Sequence, residues 1–166
     1  MMYDKTTLRE KTTVMHIDTR CSLVQLKTKF LFDYEIFPNN VMSHLTEWKY
    51  EHREMRIGDT IVQQVYLPPT RRLSQKIIVG VRISEIVNEP TRQGFCYDTI
   101  AGHVENGTAE FTVEQSSDGK IIFKIHTFSR PSILLARVVG PFFSIPYQSF
   151  LTRQALKNVK RQLESQ

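Results

Sequence analysis

The residues best suited to chemistry lie between Gly94 and Pro131. In Gly102-His103-Val104-Glu105 an imidazole and a carboxylate share one turn between strand-like runs, and the carboxylate could orient His103 as a base near neutral pH. The alternative is a hydrogen-bonded loop that only shapes a tight hairpin. The lack of a second catalytic group at a workable spacing favours that alternative. Downstream, Arg130 in Phe128-Ser129-Arg130-Pro131 could clamp an anionic ligand group at a cavity mouth, or pair with Glu105 or Glu110 and pin a strand-helix corner. No metal site is expected, because His16, His44, His52 and His126 are scattered and neither Cys21 nor Cys96 has ligand spacing. No cofactor is expected either, since glycine-rich phosphate loops, nucleotide fingerprints and nucleophile elbows are missing from the sequence.

These groups need strands to hold them. Ala109, Phe111 and Val113 alternate with Thr108, Glu110, Thr112 and Glu114, the period of a half-buried strand. Ile121, Phe123 and Ile125 repeat the pattern after Ser117-Asp118-Gly119. A three-residue loop with Gly119 left-handed sets Val113 opposite Phe123, Phe111 opposite Ile125, Thr112 opposite Lys124 and Glu110 opposite His126. A two-residue loop would oppose apolar to polar, which a one-sided core forbids. Carried further, this register brings Arg130 toward Glu105 and the backbone of 101–107.

Upstream, residues 1–20 carry little signal and read as an N-terminal extension, partly disordered, with a short strand over 13–17. The alternation of Val24, Leu26, Phe30, Phe32, Tyr34 and Ile36 predicts a strand, with Leu31 as an exception on its polar side. Pro38-Asn39-Asn40 should end it and cap a short helix from Val41 to about Trp48, burying Val41, Leu45 and Trp48. Strands follow over 60–67, 76–87 and 95–100, and Gly80 marks a bulge or a close approach of another group. Ser132–Val139 is helix-compatible. From Pro146 onward Tyr147, Phe150, Leu151, Ala155, Val159 and Leu163 share one sector of a helix, with Arg153, Lys157, Lys160 and Arg161 opposite. The order predicts an α+β domain over residues 21–166, a curved antiparallel sheet closed by the long C-terminal helix. Such closure leaves a concave apolar space suited to a ligand.

Composition narrows the function classes. A chain of 166 residues with 40% hydrophobic content can bury one real core. No apolar run is long enough to span a bilayer, no signal-peptide core is visible, and two cysteines read as reduced thiols, so the expected location is cytoplasmic. Of the net charge of +5, most lies in residues 132–166, which hold five basic residues and one acidic. That face is expected to be solvated. Basic residues without interleaved exposed aromatics argue against a nucleic-acid partner, while an anionic partner docking on the helix remains a third reading.

Residues 23–165 resemble the START-type helix-grip superfamily, which includes polyketide cyclases, lipid-transfer domains and pollen-allergen-like proteins. The likeness rests on FDYEIFPNNVMSHLTEW, on Arg56-Ile57-Gly58-Asp59 and on LKNVKRQLES. A tighter resemblance is to an uncharacterised domain-of-unknown-function branch. It is carried by Gly94, Phe95, Tyr97, Thr99, Gly102, His103, Glu105, Gly107 and Phe111, and by the later Phe-Ser-Arg-Pro. Asp98 stands where that motif has glycine, Ala101 and Val104 where it has prolines, and Thr108-Ala109 where it has an acidic pair. The resemblance implies a helix-grip fold, with a short helix after the first strand, but no particular activity. The resulting expectation is a binder of a hydrophobic small molecule (lipid, isoprenoid or polyketide-like). Tyr97, His103 and Arg130 would orient its polar end, and Trp48, Phe95, Phe111 and Phe123 would line the cavity. The runner-up is a cyclase- or hydrolase-type enzyme using His103 and Glu105.

Overall fold

In the computed structural model, described over residues 9–67, 75–100, 105–131 and 141–166, one seven-stranded antiparallel sheet organises the chain. Its strands are β1 (Arg9–Ile17), β2 (Met42–Thr46), β3 (Thr60–Leu67), β4 (Gln75–Glu89), β5 (Arg92–Thr99), β6 (Glu105–Gln115) and β7 (Ile121–Pro131). They lie in the order β1-β7-β6-β5-β4-β3-β2. Two short helices, α1 (Lys29–Phe32) and α2 (Glu47–Tyr50), precede the long helix α3 (Pro141–Glu164). Alternation decides the faces. Ile61, Val65, Val81, Ile83, Phe95, Phe111, Val113, Phe123 and Ile125 all point inward and are buried.

The hairpin β6–β7 has the register that its apolar pattern demands, with Val113 opposite Phe123, Phe111 opposite Ile125, Thr112 opposite Lys124 and Glu110 opposite His126. Ser116 N–H donates to the Lys120 carbonyl and Gly119 N–H to the Ser116 carbonyl, closing a loop over 117–119 with Gly119 at φ +81°. Gly94 and Gly107 have another purpose. A Cβ on Gly94 would overlap the Phe111 carbonyl oxygen, and one on Gly107 the Phe128 carbonyl oxygen, so only glycine lets these strands come so close. Gly80 is also a place of close approach, since its missing Cβ would sit 3.2 Å from Ile100 Cδ1. The irregularity of that strand falls instead between Ile83 and Glu85.

Two expected elements differ. Residues 23–36 form no strand: Leu23–Gln25 is a 3-10 turn, α1 follows, and Tyr34 adopts φ 60°, which ends any extended run. Phe30, Leu31, Tyr34, Ile36 and Phe37 are nevertheless all buried, because this stretch is packed on more than one side. Leu31, expected on the polar side, is fully buried. The first strand of the sheet is β1, within the stretch read as an extension, and it pairs with β7 from Arg9–Ser129 to Ile17–Ile121. The helix expected over 41–48 is mainly strand β2. Strand alternation turns Leu45 outward, leaving it 76% exposed, and helix begins only at Glu47.

Helix α3 starts at Pro141, earlier than expected, and continues through Pro146, whose missing N–H removes one bond near the helix start. It buries Ala155, Leu156, Val159 and Leu163, leaves Lys157 exposed, and holds Phe150 and Leu151 half-buried. Asn158 pins it to the turn after α1, donating from Nδ2 to the carbonyls of Glu35 (3.0 Å) and Ile36 (2.9 Å). The expected helix over 132–139 lies outside the described residues.

Candidate ligand-binding site

The inward face of the sheet is not uniformly apolar. On β2 the residues Met42, His44 and Thr46 stand opposite Val65, Gln63 and Ile61 of β3. His44 and Gln63 therefore meet on the inner side. Gln63 is 3% exposed, and its Nε2 donates a 2.7 Å hydrogen bond to the Tyr34 hydroxyl. Tyr34 is also hydrogen-bonded to Tyr97 of β5, their rings 6.4 Å apart. Burial first, then the charge and hydrogen bond of Tyr97, push the Tyr34 phenol well above the ordinary tyrosine range, so it stays protonated.

Aromatic rings wall this polar group. Tyr34 packs on Phe37 and Phe95 at 6.0 and 5.9 Å, Phe95 stacks on Phe111 at 5.5 Å, and Tyr97 meets Phe111 at 5.5 Å. Tyr97 is half-buried, whereas Tyr34, Phe37, Phe95 and Phe111 are buried. His44 meets Tyr34 edge-on at 5.1 Å. Burial and then Lys49 hold its imidazole below the ordinary value, against a smaller upward pull from Glu35. Among the described residues its buried Nδ1 has no hydrogen-bond partner.

Outside this cluster an open cleft of about 1200 Å³ runs along β2 between the 35–39 turn and α3, with Phe37 and His44 on one side and Asn158 and Arg161 on the other. The aromatic cluster lies behind Phe37 and His44. Among the described residues, none of those expected to contact a ligand (Tyr97, Trp48, Phe95, Phe111 and Phe123) lines that cleft.

Of those residues, Tyr97, Phe95 and Phe111 are brought together. Trp48 and Phe123 are 1% and 0% exposed and make no ring contact with this group among the described residues. The register sets Arg130 opposite Asn106 and Pro131 opposite Glu105, so the backbones of the two motifs adjoin. His103 and the side chains of Glu105 and Arg130 lie outside the described residues. The ends of that connection are tied by Thr99, whose hydroxyl accepts from Gly107 N–H at 2.9 Å and donates to the Gly107 carbonyl at 3.2 Å. Sequence reading missed Tyr34, Gln63 and His44. Gln63 had a legible signal, being a polar residue in the inward phase between Ile61 and Val65.

Among the described residues no group of three or more His, Cys, Asp or Glu could hold a metal ion. No helix among them is long and apolar enough to cross a membrane. Part of the basic sector of α3 is used internally: Lys160 pairs with Asp18 (3.1 Å) and Glu164 (3.0 Å), and Arg161 donates to Asn158 Oδ1.

Comparison with known proteins fits this architecture. The fold is similar to the di-domain ARO/CYC StfQ from the steffimycin biosynthetic pathway, with TM-score 0.63 and 9% identity over 95% of this chain and 51% of that one. It is also similar to major latex-like protein 151 from Panax ginseng, with TM-score 0.56 and 12% identity over 94% and 97% of the two chains. Both likenesses concern the START-type helix-grip fold alone. A UPF0548 protein of Deinococcus radiodurans is 37% identical over 60 residues, covering 36% of this chain and 30% of that protein, so the chain matches under a third of its length. The profile of one family, described as a domain of unknown function, matches residues 24–158. With most of its length inside that match, the chain belongs to the DUF1990 family.

Proposed function

We propose that this protein binds a hydrophobic small molecule, of lipid, isoprenoid or polyketide-like character, in the space between the concave sheet face and α3. The observation that carries this reading is the grouping of Tyr34, Gln63 and Tyr97 inside a wall of Phe37, Phe95 and Phe111, with Tyr97 the half-buried ring among buried ones. Ligand sites in proteins have that make-up, mostly apolar with a few placed polar groups. The apolar part of a ligand would gain about 25 cal/mol per Å² removed from water. Its polar end would lie at Tyr97, with His103 and Arg130 as further anchors from the neighbouring corner. The ARO/CYC likeness and the ginseng likeness support a fold able to enclose a ligand, and by themselves neither supports catalysis.

Titration with a fluorescent fatty acid tests this reading, joined to native mass spectrometry of the purified protein. Saturable binding at one site, or a co-purifying small molecule of matching mass, is the expected result. Absence of both would overturn the proposal. His103 and the Glu105 side chain, on which the alternative of catalysis would rest, lie outside the described residues. Docking of an anionic partner on α3 is weakened by the internal pairing of Lys160.

A further inference from the structure

The two edges of the sheet are unlike. β1 begins Arg9-Glu10-Lys11, and charged side chains on an edge strand discourage pairing with other chains. β2, the opposite edge, reads Met42-Ser43-His44-Leu45-Thr46 and holds no Lys, Arg, Asp or Glu. Its open side follows from the hydrogen bonds around β3. Thr60 N–H faces β2, donating to Glu47 Oε2 at 2.8 Å, whereas the Asp59 carbonyl faces β4 and accepts from Ile83 N–H at 2.8 Å. Alternation then turns the main-chain groups of Val62 and Gln64 toward their register partners Leu45 and Ser43. Those of Met42, His44 and Thr46 point away from β3. Met42 N–H is used there, donating to the Pro38 carbonyl at 3.2 Å. The His44 N–H and carbonyl have no partner among the described residues, and the open cleft runs beside them.

The side chains of the cleft specify the chemistry of an occupant. Exposed Leu45, Tyr50 and Val62 give it an apolar part. Its charges are paired, with one exception. Glu35 meets Lys49 at 2.9 Å, and Glu47 is held by Thr60 N–H and by Arg53 at 4.0 Å. Arg161, exposed on the α3 side, donates to Asn158 Oδ1 and makes no ion pair among the described residues. We propose that β2 is a docking edge for an extended segment of another protein, which adds an antiparallel strand by exchanging both main-chain hydrogen bonds with His44. The segment's residue opposite His44 carries a carboxylate for Arg161, and the residues on either side of it are apolar and pack beside Leu45 and Val62. A second copy of β2 fits less well, because it would present His44 at that place and no carboxylate. This surface does not depend on the small-molecule reading.

The test is amide NMR of the whole, isotope-labelled chain titrated with the peptide Ser-Thr-Val-Glu-Val-Thr-Ser. Binding should be saturable and should move the His44 amide proton downfield. Methylating the backbone nitrogen of the peptide's glutamate removes its donor to the His44 carbonyl and should weaken binding about tenfold. Replacing that glutamate with glutamine should weaken it several-fold to about tenfold, the range of one charged hydrogen bond. Arg161→Gln should bind the glutamate and glutamine peptides equally while keeping its melting temperature. The two peptide changes act on the unaltered protein, so they decide the matter even if that variant is unstable. No saturable shift at His44, or undiminished binding of the methylated peptide, would overturn the proposal. Sedimentation of the peptide-free protein as a dimer that protects the His44 amide would assign the edge to a second copy and overturn it as well.

Discussion

Gln63 Nε2 donates a 2.7 Å hydrogen bond to the Tyr34 hydroxyl, joining strand β3 to the irregular stretch that follows α1. Both side chains are buried. The bond ties the one long non-strand segment between β1 and β2 to the inner face of the sheet. Removing one partner strands the other away from water, and removing both does not.

Tyr34→Phe should therefore cost about 1–3 kcal/mol, because the Gln63 amide loses its acceptor in a buried site. Gln63→Leu should cost less, since the Tyr34 hydroxyl keeps Tyr97. The double substitution should cost clearly less than the sum of the two, as urea denaturation of all four proteins would reveal. Strictly additive costs would mean that the two groups do not depend on each other.

The motif glycines separate close approach from backbone angle. Gly119→Val should cost on the order of 1 kcal/mol or more, because the φ of +81° strains a β-branched residue although nothing lies within 4 Å of its missing Cβ. Gly107→Ala should cost more than Gly119→Ala, since its Cβ would collide with backbone of β7. Denaturation midpoints rank the two, and the reverse ranking would contradict the strand contact.

Helix α3 offers a comparison by burial. Leu163→Ala, at a fully buried position, should cost roughly 2–5 kcal/mol, and Lys157→Ala under about 0.5 kcal/mol. Half-buried Leu151→Ala should fall between them. Similar losses at 157 and 163 would show that the helix docks by another face.

His44 sets a pH dependence. Its folded pKa lies below the ordinary value of 6.5 because of burial and Lys49, opposed by Glu35. The unfolded chain thus binds the extra proton first, so stability falls as pH drops below 6.5, by at most about 1.4 kcal/mol per pH unit from this group. Urea titrations of wild type and His44→Gln at neutral and mildly acidic pH isolate the contribution, which should vanish in the variant. An identical acid-side slope in both proteins would remove His44 from the account.

How far the sequence could be read depends on how local the determining pattern is. The β6–β7 register was legible because two alternating runs and one turn glycine agree, and a slip of one residue would expose Phe111 and Phe123. Phe95, Tyr97 and Phe111 were recognisable as inward residues for the same reason. Residues 23–36 misled because Phe30, Phe32, Tyr34 and Ile36 mimic strand alternation while a turn with Tyr34 at φ 60° packs on more than one side. The partnership of Tyr34 with Gln63 depends on that turn and on the sheet order, which no local pattern encodes. The β2 stretch was misread because Val41 and Trp48 are buried as in the expected helix, and only the 76% exposure of Leu45 separates the two readings.

The most direct measurement is a methyl NMR titration of isoleucine-labelled protein with a fatty acid. Ile83 stands opposite Tyr97 on the inner face and is 1% exposed, whereas Ile57 and Ile78 are 67% and 68% exposed. The account predicts saturable shifts at Ile83, with Ile57 and Ile78 unmoved. Shifts confined to Ile57 and Ile78, or no saturable shift at Ile83, would contradict a ligand site on the concave face.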